Sequence, residues 1–247
     1  MAQSTTSWQT PIARWCSWDG RKMAAAGLKP ELGFIDPLLR RRLSPLARAV
    51  LHVAAKCVPQ DSEDVQAVRF VYASRHGELD RTLELLRDLA NDNPLSPTNF
   101  SLSVLNATPG LYSIARGDTS SATAVAAGTE TLGFGLLEAH ARITVDPCGP
   151  VLFVYADAPA PVPLGPLPED PEDVLAIGVL LDTAGKGMLA CSYTDIYFDN
   201  DDNASQAMAF LSCLSGTGQG LWSSVRRSWQ WRLTCPVLVA GSAMPGA

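Results

Sequence analysis

Imidazoles and thiols are few in this sequence, and they are scattered. His52, His76 and His140 are its three imidazoles, and the six cysteines (Cys16, Cys57, Cys148, Cys191, Cys213, Cys235) include no C-x-x-C pair. His76-Gly-Glu-Leu-Asp80 matches H-x-x-x-D, a pattern in which some acyltransferases use the histidine as general base. Only two positions of that pattern are fixed and no second acyltransferase signature accompanies it. The structural reading therefore leads, with His76 and Gly77 in a loop after a strand and Asp80 capping the helix that follows. Cys148, set between Asp146-Pro147 and Gly149-Pro150, is a loop thiol with no histidine or helix start beside it to favour the thiolate. Gly216-Thr-Gly-Gln-Gly220 lacks the third-glycine spacing of a dinucleotide loop and follows no strand, which leaves a loop between helices. Asp199-Asn-Asp-Asp-Asn203 looks like half a calcium loop. Ala204 stands at its sixth position instead of glycine and Phe210 at its twelfth instead of glutamate, so it reads as a solvated turn. No cofactor and no metal is expected.

Groups of this kind act only where strands and helices place them, so the apolar spacing comes next. From Asp36 to Cys57, Leu39, Leu43, Leu46, Val50 and Val53/Ala54 fall on one helical face, and Pro45 splits the run, with Ser44 capping a second helix. Ala67 to Ala73 has the length and composition of a strand, and Asp80 to Ala90 is a helix ended by Asn91-Asp92-Asn93-Pro94. Phe100 to Arg116 reads as helical with a break at Pro109-Gly110. Ala122 to Gly128 is a small-residue strand, Thr129 to Arg142 a helix, and Pro150 to Ala156 another strand before a Pro-rich loop, Ala158 to Pro171. Val174 to Asp182 and Met188 to Asp195 form a hairpin, Ala207 to Leu214 a short helix, and Trp229 to Leu233 an edge strand. The order is βαβαβ and then a hairpin. It predicts an α/β fold with a mixed, mostly parallel sheet covered by helices on both faces. Without a long linker, residues 1–247 are expected to form a single domain with its core at about 30–200 and tryptophan-rich extensions at both ends. The first 30 residues are expected to be irregular, with Trp8, Trp15 and Trp18 packed onto the body.

A net charge of −6 and a pI near 5.0 argue against nucleic acid, which needs clustered cations. Arg40-Arg41-Arg42 is too short a run to alter this and reads as a solvated helix start. At 47% apolar and 18% charged residues, the chain is slightly richer in apolar surface than an ordinary soluble domain, so a face covered by a partner is expected. No run approaches the roughly 20 apolar residues that span a bilayer. The unpaired cysteines and the absence of a signal-peptide pattern suggest a reducing, cytoplasmic setting.

The most specific signal is the stretch SRHGELDRTLELLRDLANDNPLSPTNFSLSVLNATPGLYSIARGDTSSATAVAAGTETLGFGLLEA, Ser74 to Ala139, with RRRLSPLARAVL before it and PVLFVYADAP after it. It resembles the ketosynthase-like N-terminal domain family, thiolase-fold proteins found beside fatty-acid-like and aryl polyene pigment synthases. The similarity covers most of residues 30 to 160, with a weaker echo in the tryptophan-rich C-terminus.

In active ketosynthases a buried strand ends at an elbow carrying the nucleophilic cysteine at a helix start, where backbone N–H groups and the helix dipole favour the thiolate. Aligning Asn106, Gly110, Gly117 and the next strand puts Thr129 at that place. A second register would put Asp118 there, but it leaves ATAVAAG without its strand. A threonine hydroxyl needs a neighbouring base to attack, and the two histidines of a ketosynthase's second half have no counterpart after residue 200. Leu105 stands where relatives often carry histidine, in S-V-H-N-A. Glu130 is expected to cap its helix, favourable by roughly 0.3–1 kcal/mol. The resemblance thus implies a non-catalytic, chain-length-factor-like subunit that pairs with a complete β-ketoacyl synthase as a heterodimer or heterotetramer, with acyl carrier protein as a further partner. Asn106 and Ala122, Thr123, Ala124, Val125, Ala126, Ala127 and Gly128 would lie at the subunit interface. Two alternatives are a small acyltransferase using His76 and Asp80, and a homodimeric module that binds acyl carrier protein.

Overall fold

The computed structural model describes residues 4–58, 67–195, 205–234 and 238–239; Asp199–Asn203 and Cys235 lie outside them. Its strands are β1 (Thr5–Asp19), β2 (Arg69–Ala73), β3 (Ala122–Val125), β4 (Val151–Asp157), β5 (Leu175–Leu181), β6 (Gly187–Thr194), β7 (Gln219–Ser223), β8 (Ser228–Thr234) and β9 (Leu238–Val239). They form one sheet in the order β3-β2-β4-β5-β1-β6-β8-β7, with β9 against β1. The helices are α1 (Gly20–Ala25), α2 (Pro37–Arg40), α3 (Pro45–Cys57), α4 (Leu79–Ala90), α5 (Pro97–Ser103), α6 (Ala107–Arg116), α7 (Thr131–Val145) and α8 (Gln206–Ser212).

Alternation along the strands divides the core in two. Val71 and Ala73 on β2, with Val151 and Phe153 on β4, face α7 and α8. Phe70, Tyr72, Leu152 and Val154 face α3 and α6. Helices thus cover both faces, as the continuous apolar runs in β2 and β4 require. The sheet is mixed, but its parallel share is smaller than expected. Parallel pairing joins β3, β2 and β4 and the short β9 to β1, while the remaining ladders are antiparallel. The reason is connectivity: helices cross from β2 to β3 and from β3 to β4, whereas only the Pro-rich loop joins β4 to β5, so β5 returns antiparallel.

Four other expectations are corrected. The first residues are not an irregular extension, because β1 runs through the middle of the sheet with Trp8, Trp15 and Trp18 all buried. Pro11 and a bulge between Ile12 and Arg14 interrupt its alternation and hide it. β5 and β6 are not a hairpin, since β1 lies between them; their connection crosses β1, where a Cβ on Gly185 would stand 2.5 Å from the Ile12 carbonyl carbon. β8 is an inner strand, with β7 outside it, so Gly216–Gly220 leads into a strand and does not join two helices. The break after α5 falls at residues 104–106, and Pro109-Gly110 sits in the first turn of α6, where a missing N–H is harmless. Ser44 does cap α3, accepting from Ala47 N at 2.9 Å behind Pro45.

α7 lies unusually close to the sheet. A Cβ on Gly135 would meet the Phe153 ring and the Ala73 Cβ, each at 2.7 Å. In an open helix Gly→Ala gains about 1 kcal/mol of propensity, so the sign of the change reports the packing. We expect Gly135→Ala to lose about 1–2 kcal/mol net through overpacking. A urea denaturation midpoint above that of the wild type would show that α7 has room to move.

Candidate functional site

The strand–turn–helix at residues 122–131 is the most built feature of the chain. β3 pairs with β2 in parallel register, Phe70 opposite Ala122 and Ala73 opposite Val125. The Ser121 carbonyl accepts from Phe70 N at 3.0 Å and the Val125 carbonyl from Ser74 N at 3.1 Å. Backbone groups alternate along a strand, so Ala122 and Ala124 turn their own N–H and C=O toward the outer edge, where the sheet ends. After Val125 the chain enters a 3-10 turn, Gly128–Glu130, through Gly128 at φ +61°, a left-handed conformation that suits glycine. Thr131 staples this turn: its hydroxyl accepts from Ala127 N at 2.8 Å and donates to the Gly128 carbonyl at 2.7 Å. Thr129 sits half-buried within the turn, and Ala126 and Gly128 are exposed.

Glu130 does not behave as expected. It holds the N-cap position of α7 but makes no capping bond with its side chain. The carboxylate turns inward instead, accepting from Ser224 Oγ at 2.9 Å, Trp229 Nε1 at 3.1 Å and Arg227 at 3.2 Å. Three donors, one of them charged, outcompete an exposed cap. Arg227 also pairs with Asp195 at 2.9 Å and lies over the Phe134 and Tyr193 rings. At the same helix end, Gly133 N donates to the buried Gln206 Oε1 at 3.0 Å. One first-turn amide of α7 is thus already occupied.

Its three imidazoles serve other contacts. His52 on α3 accepts from Glu31 N at 2.9 Å and packs edge-on against Trp18, and burial depresses its pKa. His140 on α7 lies beside Trp8, its pKa likewise depressed by burial. His76 does sit in the loop after β2, but the structure does not bring it to Asp80. Asp80 is exposed in the first turn of α4 and is not its N-cap, while His76 Nε2 pairs with Asp170 at 2.7 Å. Asp118, the other register's candidate, closes the turn before β3 by accepting from Val68 N and Ser120 N. Asn106 is exposed ahead of α6, and Leu105 packs over Gly77. Cys148 is exposed on its loop.

Beyond the ends of β2 and β4 the loops are tied by carboxylates. Buried Asp157 accepts from Ser74 Oγ at 2.8 Å and from the backbone of Arg75 and His76, each at 3.0 Å. Asp170 holds the Pro-rich loop by accepting from Ala160 N and Leu167 N as well as His76. Its neighbour Glu169 is left-handed at φ +68°, and burial, partly opposed by Arg75, pushes its carboxyl up to about 7. An acid raised in this way favours folding below its unfolded pKa and loses that contribution as pH rises through 7. Glu169→Gln mimics the neutral acid. Its melting temperature should match the wild type at pH 4 and exceed it at pH 8; an equal difference at both pH values would contradict the shift.

The fold is α/β and thiolase-like, as the comparisons with known proteins show. The family model for the β-ketoacyl synthase N-terminal domain matches residues 15–232, and the chain belongs to that family. No curated protein matches the sequence. Among solved structures, the chain is similar to one in the complex of a ketosynthase (ApeO) with its chain length factor (ApeC) from Xenorhabdus doucetiae. That match has a TM-score of 0.69 and 24% identity, over 94% of this chain and 99% of that one. It is also similar to the ishigamide ketosynthase/chain length factor, with a TM-score of 0.50 and 14% identity, over 73% of this chain and 65% of that one. At these identities the likeness establishes the fold.

Proposed function

We propose that this chain is a non-catalytic, chain-length-factor-like subunit that pairs with a complete β-ketoacyl synthase during carrier-protein-bound chain elongation of the aryl polyene type. The observation that carries the reading is the outer edge of β3, where the backbone groups of Ala122 and Ala124 face away from β2 and meet no described strand, beside an elbow that holds Thr129. An apolar, small-residue edge left open is an aggregation hazard, and a permanent partner removes it. Ile114 is exposed on α6, which packs against β3, and Phe100 and Val104 are exposed on α5 and the break after it, which packs against α6. The similar ketosynthase–chain length factor complexes agree with such pairing, and no helix among the described residues is long and apolar enough to cross a membrane.

The test is to co-express the chain with its ketosynthase and follow size-exclusion elution and acyl elongation. One joint peak, with product lengths that change when this chain is left out, is expected. Separate elution with unchanged products would defeat the pairing, and a covalent acyl adduct on the isolated chain would defeat the non-catalytic assignment. The same open edge also favours a second reading, a homodimer that sequesters acyl carrier protein. Light scattering of the isolated chain distinguishes it by a stable, soluble dimer.

A further inference from the structure

The C-terminal hairpin and the elbow are separated by about a hundred residues yet share one buried carboxylate. Glu130 is 6% exposed, and each of its three donors comes from β8 or the β7–β8 turn. Around it the packing leaves no slack: Trp229 is fully buried, and a Cβ on Gly133 would stand 2.6 Å from its ring. The turn is hydrogen-bonded as well. Ser224 Oγ accepts from the backbone of Arg226 and Arg227, each at 3.0 Å, while donating to Glu130. Burying a carboxylate is unfavourable, and an apolar side chain of the same volume would often serve stability as well or better. What a three-donor carboxylate adds is geometry. Three bonds fix the position and rotation of the residue that closes the 3-10 turn, whose N–H bonds Ala127 O at 3.3 Å. Fixing Glu130 fixes the turn, and the turn orients Ala126, Gly128 and Thr129.

We propose that Glu130 is a positioning residue, held by Ser224, Arg227 and Trp229, through which the C-terminal hairpin sets the elbow that meets the partner subunit. This rests on the pairing reading above and adds a second, distant determinant to it: the hairpin does not touch β3 in the sheet, yet its integrity decides how the edge is presented. Arg227 is the accessible half of the device. Its side chain is 31% exposed and bridges Glu130 to Asp195 at the end of β6, so it can be changed without opening the core.

Three variants of the full chain, each co-expressed with the ketosynthase, test the idea. Glu130→Gln keeps shape and removes charge, Arg227→Met removes the cation, and Ala124→Pro strikes the β3 edge alone. We expect Glu130→Gln and Arg227→Met to weaken pairing about tenfold and to broaden the product-length distribution, with circular dichroism unchanged. Arg227→Lys should recover much of the affinity, which a purely structural role would not predict. Wild-type pairing and product lengths in both Glu130→Gln and Arg227→Met, alongside failed pairing in Ala124→Pro, would overturn the positioning role and leave the pairing reading intact. Normal pairing in Ala124→Pro as well would remove the edge reading and the proposal with it.

Discussion

Trp229→Ala is expected to lower the unfolding free energy by about 3–5 kcal/mol, among the largest losses a single core residue can give. The indole is fully buried, with ring centres at 4.9 Å from Tyr193, 5.1 Å from Phe134 and 6.2 Å from Trp8. Those rings come from β6, α7 and β1, so one truncation leaves a cavity bordered by three elements that cannot all close in. A second cost adds to the cavity, because Glu130 loses one of three donors and remains buried. Trp229→Phe separates the two effects: most of the ring stays and the N–H goes, with an expected loss of about 1–3 kcal/mol. Urea denaturation measures both. A loss under about 1 kcal/mol for Trp229→Ala would mean that the aromatic cluster can repack and that the hairpin is not rigidly fixed to α7.

The elements that could be read from sequence were those in which local pattern and tertiary role agree. Ser44-Pro45 announces α3 because a cap and a first-turn proline act within four residues. β2, β4 and β5 are continuous apolar runs because both of their faces are covered. β1 was missed for the opposite reason. Its residues alternate tryptophans with Ser, Gln and Arg, a proline falls inside it, and a bulge shifts the alternation at Ile12, so no short window looks like the centre of a sheet. The hairpin expected from β5 and β6 failed with it, since only a strand from the other end of the chain, inserted between them, shows that their turn is a crossing.

The site divides along the same line. The elbow was legible because strand, glycine and helix follow one another directly, from Ala122 through Gly128 to Thr131. What surrounds the elbow was not. Glu130 looks like a helix cap to any argument confined to its neighbours, and its actual partners lie 94 to 99 residues on. The tryptophan alternation in Ser228–Thr234 signalled a strand with one buried face, but nothing local tells which carboxylate an indole N–H will meet. His76 repeats the lesson: the nearby Asp80 suggested a pair, and the fold supplied Asp170 instead.

Ala124→Pro should cut the affinity for the ketosynthase about thirtyfold or more while leaving the fold in place. The asymmetry follows from the hydrogen bonds. Residues 121 and 125 spend their carbonyls on β2 and Ser74, so the N–H of Ala124 points outward, away from every described strand. Proline is tolerated at such edge positions, where the lost donor faces away from the sheet. In the complex the same position would sit in the middle of a continuous ladder. There the missing donor leaves a buried acceptor on the partner unsatisfied, at about 1–3 kcal/mol, and the ring adds a steric clash. Each 1.4 kcal/mol is a factor of ten in the dissociation constant, so the two costs together reach or exceed the thirtyfold mark. Thr123→Val is the matched control. That side chain faces α7, where its hydroxyl accepts from Arg142, so the change alters the inner packing and spares the outer backbone. Titration calorimetry on the purified subunits should show loss with the proline and near-wild-type binding with the valine. Equal affinity in both variants would place the partner on some other surface of this chain.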